Sequence, residues 1–220
     1  MSQMQLKKIV IAGTPGAGKT TFIRSISQIK TVSTERRATD KTSLLKSHTT
    51  VGMDFGKMKI YDDLVLHLYG TPGQSRFNFM WEVLITKADA YMLLVAANRP
   101  QEFQEVRQIM NFMNRLVTIP MIVGLTHIDS ENALSPLQVA TELGFDDPRK
   151  KPPFVTLNAT SPQSIKKALI ALLKHLKAQQ IQNQSLQLAD GRQNNKMIHY
   201  DRAQKRFRKS DFLKTGFCLH

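Results

Sequence analysis

The feature that most constrains this chain is a glycine-rich segment, Gly13–Thr20, which reads Gly-Thr-Pro-Gly-Ala-Gly-Lys-Thr. A β-branched run at residues 7–12 precedes it and predicts a buried strand, while residues 20–28 place apolar side chains at helical spacing. A loop of this pattern between a strand and a helix is typical of sites that bind phosphate through backbone N–H groups. We therefore expect the chain to fold around a phosphate-binding loop.

The residue types in this loop match that chemistry. Glycines let N–H groups turn inward around phosphate oxygens, and the N-terminus of the helix adds its partial positive charge. A lysine at position 19 can reach the β- and γ-phosphates of a nucleotide, and a Thr20 hydroxyl can ligate Mg²⁺. The predicted phosphate-binding residues are Gly13, Gly16, Ala17, Gly18, Lys19, Thr20 and Thr21.

Strand and helix patterns alternate through most of the chain. A turn-prone pair, Asp62-Asp63, separates two runs that predict an antiparallel hairpin, at residues 53–61 and 64–69. Further strands are predicted at 90–96, 121–126 and 154–158, and further helices at 101–116, 136–143 and 161–176. The alternation predicts an α/β fold of the P-loop NTPase type, with a mostly parallel sheet, one antiparallel edge pair and helices on both faces.

Three segments beyond the loop carry nucleotide chemistry. Residues 49–55 read Thr-Thr-Val-Gly-Met-Asp-Phe, and a threonine there can complete Mg²⁺ coordination when a γ-phosphate is present. In residues 68–74, the N–H of Gly73 can contact the γ-phosphate, and Gln74 can orient an attacking water. In the third segment, Thr-His-Ile-Asp at 126–129, the carboxylate of Asp129 can accept hydrogen bonds from guanine N1–H and the exocyclic amine.

In this order, the four segments resemble those of the Ras-like small GTPases. Residues 49–55 are especially similar to the Rab branch, and Gly-Thr-Pro-Gly-Gln at 70–74 is similar to bacterial Ras-like proteins related to the gliding-motility polarity GTPase. The resemblance covers residues 5–178. It implies a GTP/GDP molecular switch that slowly hydrolyses GTP with Mg²⁺. It also implies Gln74, Gly73 and Lys19 as catalytic residues and Thr20 and Thr50 as metal ligands.

The resemblance also implies a set of base-binding residues, namely Thr126, His127, Asp129, Asn158, Ala159 and Thr160. Two departures from the family pattern bear on the site. Gly70 stands where the family has an aspartate that contacts Mg²⁺ through water, which predicts weaker Mg²⁺ binding or a water in the gap. His127 replaces a lysine whose stem packs over the nucleotide, so guanine preference rests on Asp129.

Other interpretations stay open at this level. The absence of the aspartate at position 70 favours a nucleotide-binding scaffold with little or no hydrolysis, and an ATP-dependent phosphotransferase is a third class. Arg36, Arg37 and Arg76 are candidates for an internal arginine finger or members of solvated basic loops. The aromatic residues Phe77, Phe79 and Trp81 form either a partner surface or part of a helix packing face.

Charge divides the chain into two parts. The formal net charge is +14, and residues 186–220 hold eight Lys and Arg against three Asp. We expect a small-GTPase-type domain at 1–180 and a basic extension at 181–220, which is a solvated tail, a docking segment for an anionic membrane or protein surface, or a nucleic-acid contact. No nucleic-acid motif accompanies the charge, so nucleic acid is the least favoured partner.

Location and partners follow from these features. The longest apolar run, at residues 90–97, is far shorter than a membrane span, which predicts a cytoplasmic protein that can be peripheral at the membrane. The family resemblance implies a protein regulator of the roadblock type and an effector as partners.

Overall fold

A computed structural model of the chain describes residues 4–33, 53–73, 77–147, 149 and 151–185. The chain divides into two compact units, Met1–Leu176 and Lys177–His220. The strands of the first unit are β1 (Gln5–Gly13), β2 (Val32–Ser33), β3 (Asp54–Tyr61), β4 (Leu64–Gly70), β5 (Ala90–Ala96), β6 (Met121–Thr126) and β7 (Phe154–Thr156). Its helices are α1 (Lys19–Ile26), α2 (Asn78–Ile85), α3 (Phe103–Leu116), α4 (Pro136–Glu142) and α5 (162–176). In the second unit, residues 177–185 are helical.

The strands form one sheet in the order β2-β3-β4-β1-β5-β6-β7. Strands β4, β1, β5, β6 and β7 run parallel to one another, whereas β3 is antiparallel to β4. The predicted α/β fold is confirmed, including the antiparallel pair at one edge. The two-residue strand β2 adds a short antiparallel ladder outside β3.

The central strand β1 shows why helices cover both faces. Its residues 9–13 are all buried, and successive side chains point to opposite sides of the sheet. Ile9 and Ile11 pack in a cluster with residues of α1 and α5, while Val10 and Ala12 pack with residues of α2, α3 and α4. A strand that is apolar on both sides needs both layers of helices, and β1 therefore delivers its C-terminal loop at a rigid edge of the sheet.

Two elements were not predicted from the sequence. Strand β2 has only two residues, too few to show an alternating pattern, and its pairing with β3 defines it. Helix α2 holds two of the three aromatic residues whose role was left open, and Phe77 directly precedes it. Trp81 is 3% exposed and meets the Phe112 ring edge to face at 5.7 Å, whereas Phe79 is 59% exposed. Trp81 therefore belongs to the packing face of the helix, and Phe79 lies on the surface.

Across the ranges that the structure describes, none of the helices has the length and apolar character that crossing a bilayer requires.

Candidate nucleotide-binding site

The glycine-rich segment leaves the C-terminal end of β1 and wraps into the first turn of α1. Gly18 caps this helix with a φ of 96°, a left-handed conformation that side chains with a Cβ rarely adopt. The loop turns tightly, since the Ala17 N–H donates to the Thr14 carbonyl at 3.2 Å. The predicted phosphate-binding residues thus lie together at one edge of the sheet, where the N-terminus of α1 could receive an anion.

Lys19 is enclosed by this loop. Its side chain is buried, and Nζ donates to the carbonyl oxygens of Gly13 at 2.8 Å and Thr14 at 2.7 Å. Burial lowers the pKa of Lys19 to about 8, although the carboxylates of Asp54, Glu105 and Glu102 act in the opposite direction. A phosphate anion in the loop would favour the charged ammonium, because an opposite charge close by offsets the loss of water.

The segment after β6 is fastened to the phosphate loop. The buried Thr126 hydroxyl lies 3.1 Å from the carbonyl oxygen of Ala17 and 3.3 Å from that of Val95. His127 follows with a φ of 56°, and its Nδ1 lies 3.0 Å from the same hydroxyl. These contacts fix the start of a loop that carries Asp129, whose side chain is exposed.

The segment after β7 approaches the same end of the loop. A Cβ built at Gly18 would lie 3.2 Å from the Cβ of Ala159, so the two backbones are close. The Asn158 Oδ1 accepts hydrogen bonds from the N–H of Thr160 at 2.8 Å and from its hydroxyl at 2.7 Å. The Asn158 side chain therefore shapes this turn. Of the predicted base-binding residues, Thr126 and Ala159 lie against the Gly18 side of the phosphate loop.

The structure reveals a site residue that was missed in the sequence, Asp54 at the start of β3. Its register partner across the hairpin is Gly70, the position where the expected aspartate is absent. The Thr20 hydroxyl donates to Asp54 Oδ2 at 2.5 Å. A Cβ built at Gly70 would lie 3.2 Å from the Cβ of Asp54 and 2.9 Å from Ile23 Cδ1, so the glycine leaves room for the carboxylate.

Asp54 and Thr20 together fit a Mg²⁺ ion. Asp54 is 7% exposed, and its Oδ1 has no hydrogen-bond partner within the described residues, which is costly for a buried oxygen unless a ligand or water satisfies it. Magnesium prefers oxygen ligands and is usually held by one or two carboxylates together with phosphate oxygens. The described ranges contain no group of three or more His, Cys, Asp or Glu that could hold a metal, so phosphate oxygens would have to supply the remaining ligands.

The segment after β4 touches the opposite end of the phosphate loop. A Cβ built at Gly73 would lie 2.6 Å from the nitrogen of Pro15 and 3.0 Å from Lys19 Nζ, so this close approach requires glycine. A hydrogen bond from α2 fixes this segment, because the Trp81 indole N–H donates to the carbonyl of Pro72 at 2.7 Å. Gly73 thus lies against the phosphate loop, and its predicted contact with a γ-phosphate stays a prediction.

The remaining predicted residues lie outside the described part of the chain. They are Thr50, Gln74 and the candidate arginines Arg36, Arg37 and Arg76, together with the basic stretch beyond residue 185. A signal for Asp54 was present in the sequence. The Asp62-Asp63 turn places residue 54 opposite residue 70 or 71, and the bulge between Lys59 and Tyr61 selects Gly70.

The sheet, the phosphate loop and its converging segments define a P-loop nucleotide-binding protein with the fold of the small GTPases. The chain belongs to a family described as conserved hypothetical ATP binding protein, whose model matches residues 11–194.

Two further likenesses place the chain among known proteins. The fold is similar to that of the Arl6 BBS3 small GTPase from Trypanosoma brucei, determined with the bound nucleotide analogue GppNp, with a TM-score of 0.61 and 16% identity over 80% of this chain and 99% of that one. The sequence is 28% identical over 93 residues to the uncharacterized protein MJ1339 of Methanocaldococcus jannaschii, which covers 42% of this chain. The match spans about half of that relative's length, 52%.

Proposed function

We propose that this protein is a GTP-binding molecular switch that hydrolyses GTP slowly to GDP and inorganic phosphate. The observation that carries the proposal is the convergence of three segments on one phosphate loop. The segments after β6 and β7 meet its Gly18 side, and the segment that holds Gly73 meets its Pro15 side. A nucleotide bound in the loop would place its base toward the first two segments and its terminal phosphate toward Gly73.

Selectivity for guanine rests on Asp129 in this proposal. Its exposed carboxylate accepts hydrogen bonds from N1–H and the exocyclic amine of guanine, a pair of donors that adenine does not present on that edge. Thr126 and His127 hold the loop that carries Asp129 in position, and the backbone N–H of Ala159 contacts the guanine O6. Asn158 and Thr160 keep that second segment in its turned shape.

Mg²⁺ is held by Thr20 and, when a γ-phosphate is present, by Thr50. Asp54 would supply the carboxylate that Gly70 lacks, since its buried Oδ1 has no hydrogen-bond partner among the described residues. Bound Mg²⁺ neutralises phosphate charge that develops during transfer. Lys19 donates to the β- and γ-phosphates after leaving the carbonyl oxygens of Gly13 and Thr14.

Hydrolysis needs a positioned water. In the proposed mechanism the Gln74 amide orients this water toward the γ-phosphorus, and the N–H of Gly73 donates to a γ-phosphate oxygen. The loss or gain of the γ-phosphate then changes the segments around Thr50 and Gln74, which a protein partner senses. The proposed protein partners are a regulator of the roadblock type and an effector. We also propose that the basic extension beyond residue 180 binds an anionic membrane surface and that the protein is cytoplasmic.

Two other functions are compatible with parts of the site. The family to which the chain belongs is described as ATP binding, which favours adenine as the base. Gly70 favours a nucleotide-binding scaffold with little or no hydrolysis, because the aspartate expected at position 70 is absent. Hydrolysis would then depend on the carboxylate of Asp54 instead. Both alternatives are distinguished from a GTPase by measurements on the purified chain.

The first experiment is binding of fluorescent GDP to the nucleotide-free protein, competed separately by GTP and by ATP, with Mg²⁺ and again with EDTA. Competition by GTP alone supports the proposal. Equal or better competition by ATP contradicts the role of Asp129 and supports an ATP-binding protein. Single-turnover hydrolysis of the preferred triphosphate then separates an enzyme from a scaffold.

A sharper test exchanges the hydrogen-bonding character of position 129. Asp129→Asn presents a donor amide, which suits the C2 carbonyl of xanthine and not the exocyclic amine of guanine. We expect this variant to lose GDP affinity and gain affinity for xanthosine diphosphate. Glu131→Gln, an exposed acid-to-amide change two residues away, is the matched control and should leave both affinities unchanged.

A further inference from the structure

An arginine that no sequence pattern distinguishes lies on the phosphate loop. Arg99 follows β5, and its Nη1 donates to the carbonyl oxygen of Pro15 at 3.3 Å. A Cβ built at Gly16 would lie 2.4 Å from Nη1 and 3.2 Å from both Cζ and Nη2, so the guanidinium covers the bare backbone of that glycine. A side chain at position 16 would displace this guanidinium.

The position of Arg99 along the loop indicates which part of a nucleotide it can meet. The base-side segments contact the loop at Ala17 and Gly18, through Thr126 and Ala159. Pro15 lies at the other end, where Gly73 approaches its nitrogen and Lys19 Nζ. Because the guanidinium of Arg99 covers Gly16 and reaches the Pro15 carbonyl, it lies toward the Gly73 end of the loop, where we expect the terminal phosphate of a nucleotide to bind.

Glu102 holds Arg99 in place. One carboxylate oxygen of Glu102 lies 3.3 Å from Arg99 Nη1, and the other accepts a hydrogen bond from the Thr14 hydroxyl at 2.7 Å. The two hydrogen bonds of the guanidinium use the same nitrogen, Nη1, and among the described residues Nε and Nη2 have no hydrogen-bond partner. An arginine has five N–H donors in a planar fork that suits phosphate oxygens, so this side chain has donors to spare for a ligand.

We propose that Arg99 binds the terminal phosphate of a bound nucleoside triphosphate and thereby makes the site distinguish a triphosphate from a diphosphate. This inference rests on the proposed binding of a nucleotide in the loop, but not on which base is bound. The guanidinium keeps its pairing with Glu102 and directs its spare N–H groups to the γ-phosphate.

The same contact acts on hydrolysis. As water adds to the γ-phosphorus, the bond from phosphorus to the β–γ bridging oxygen breaks, that oxygen leaves on the diphosphate, and the proton lost from water remains on the phosphate product. Negative charge on the phosphate oxygens is stabilised by an adjacent guanidinium, and an arginine supplied by the same chain can raise the rate by orders of magnitude. Arg99 would be such an arginine, carried by the loop after β5.

A purely structural role makes a different prediction. If Arg99 only fastens Pro15 to Glu102, its removal would loosen the phosphate loop for every nucleotide, since di- and triphosphates share the β-phosphate site. Arg99→Ala would then weaken GDP and GTP binding by the same factor. The proposal instead requires the loss to be confined to the triphosphate.

The experiment measures the affinities of the full chain for GDP and for a non-hydrolysable GTP analogue, with the adenine pair used instead if ATP proves to be the ligand. The variants are Arg99→Ala and Arg99→Lys, and the control is Arg107→Ala, an exposed arginine of α3 that donates to the carbonyl of Glu142. We expect Arg99→Ala to weaken the triphosphate analogue about 10- to 100-fold, the effect of one charge-assisted hydrogen bond, with GDP unchanged. The lysine variant should recover part of the loss.

Added guanidinium gives an independent readout. In single-turnover hydrolysis, free guanidinium ions should raise the rate of Arg99→Ala and leave the Arg107→Ala rate unchanged, because only the former has an empty guanidinium site beside the loop. Equal losses for di- and triphosphate, or unchanged triphosphate affinity, would overturn the role of Arg99. Failure of the wild type to bind any nucleotide would instead overturn the proposed function itself.

Discussion

The carboxylate of Asp54 offers the most direct test of the proposed Mg²⁺ site. Asp54→Asn keeps the shape of the side chain and removes its charge, while the amide oxygen can still accept from the Thr20 hydroxyl. What is lost is the charged Oδ1, which is buried without a partner among the described residues. If a Mg²⁺-bound water fills that position, the variant loses one hydrogen bond to a charged group.

The magnitude follows from that single contact. A hydrogen bond to a charged group contributes about 1.5–3 kcal/mol, and about 1.4 kcal/mol corresponds to a factor of ten. Asp54→Asn should therefore weaken Mg²⁺ binding about 10- to 100-fold, the range typical of groups that hold a metal-bound ligand. The assay is release of fluorescent GDP as a function of free Mg²⁺, and the midpoint of the curve should move to higher Mg²⁺ by that factor.

A control and an exchange variant complete the test. Asp62→Asn removes an exposed carboxylate from the turn of the same hairpin, where Asp62 pairs with Lys59, and should leave the midpoint unchanged. Asp54→Gly combined with Gly70→Asp should recover part of the Mg²⁺ affinity that Asp54→Asn loses. Removing the Asp54 side chain removes its close contact with a Cβ at position 70, which leaves only the contact with Ile23 Cδ1. An Asp54→Asn midpoint equal to that of the wild type would refute the assignment.

Four further predictions concern the phosphate loop and the segment that contacts it. GDP affinity should fall by up to tenfold per pH unit above about pH 8, because phosphate favours charged Lys19 while the empty loop lowers the pKa of that lysine to about 8, and isothermal titration in buffers of different pH measures it. Without nucleotide, the pKa of Lys19 is about 8 in the folded protein and about 10.5 in the unfolded chain, so the unfolded chain binds more protons between these pH values. The contribution of Lys19 to the free energy of unfolding should therefore rise with pH between about 8 and 10.5. Denaturant titrations at several pH values measure this rise, which the Lys19→Met variant should lack. The single tryptophan, Trp81, donates to the carbonyl of Pro72, so its emission should change when a triphosphate analogue replaces GDP; an unchanged spectrum would mean that this segment does not respond to the γ-phosphate. Gln74→Leu should slow single-turnover hydrolysis by at least about tenfold without changing GDP affinity, whereas Gln108→Leu on the exposed side of α3 should have no effect, and equal rates for the two variants would remove Gln74 from the mechanism.

The predicted elements that the structure confirms are those with a strong local pattern. The buried run of β5 and the apolar stripe of α3 appear where the sequence placed them, because period and burial are properties of a single segment. Helix α2 was missed because its aromatic residues divide between the core and the surface. Trp81 is buried by α3 and by the carbonyl of Pro72, and neither partner is visible in the local pattern.

The sequence by itself determined the phosphate loop. The conformation of Gly13–Thr20 depends on residues that are adjacent in the sequence. The left-handed conformation of Gly18 and the placement of Lys19 therefore follow from residue type and spacing. Only the tertiary structure decided which arginine lies on the loop, and only the bulged register of the hairpin set Asp54 opposite Gly70 rather than opposite Thr71. Asp54 is brought to Thr20 by the register of a hairpin, and Arg99 is brought to Pro15 by the packing of β5 beside β1. Contacts between residues so far apart in the chain depend on how strands pair, which no short stretch of sequence encodes.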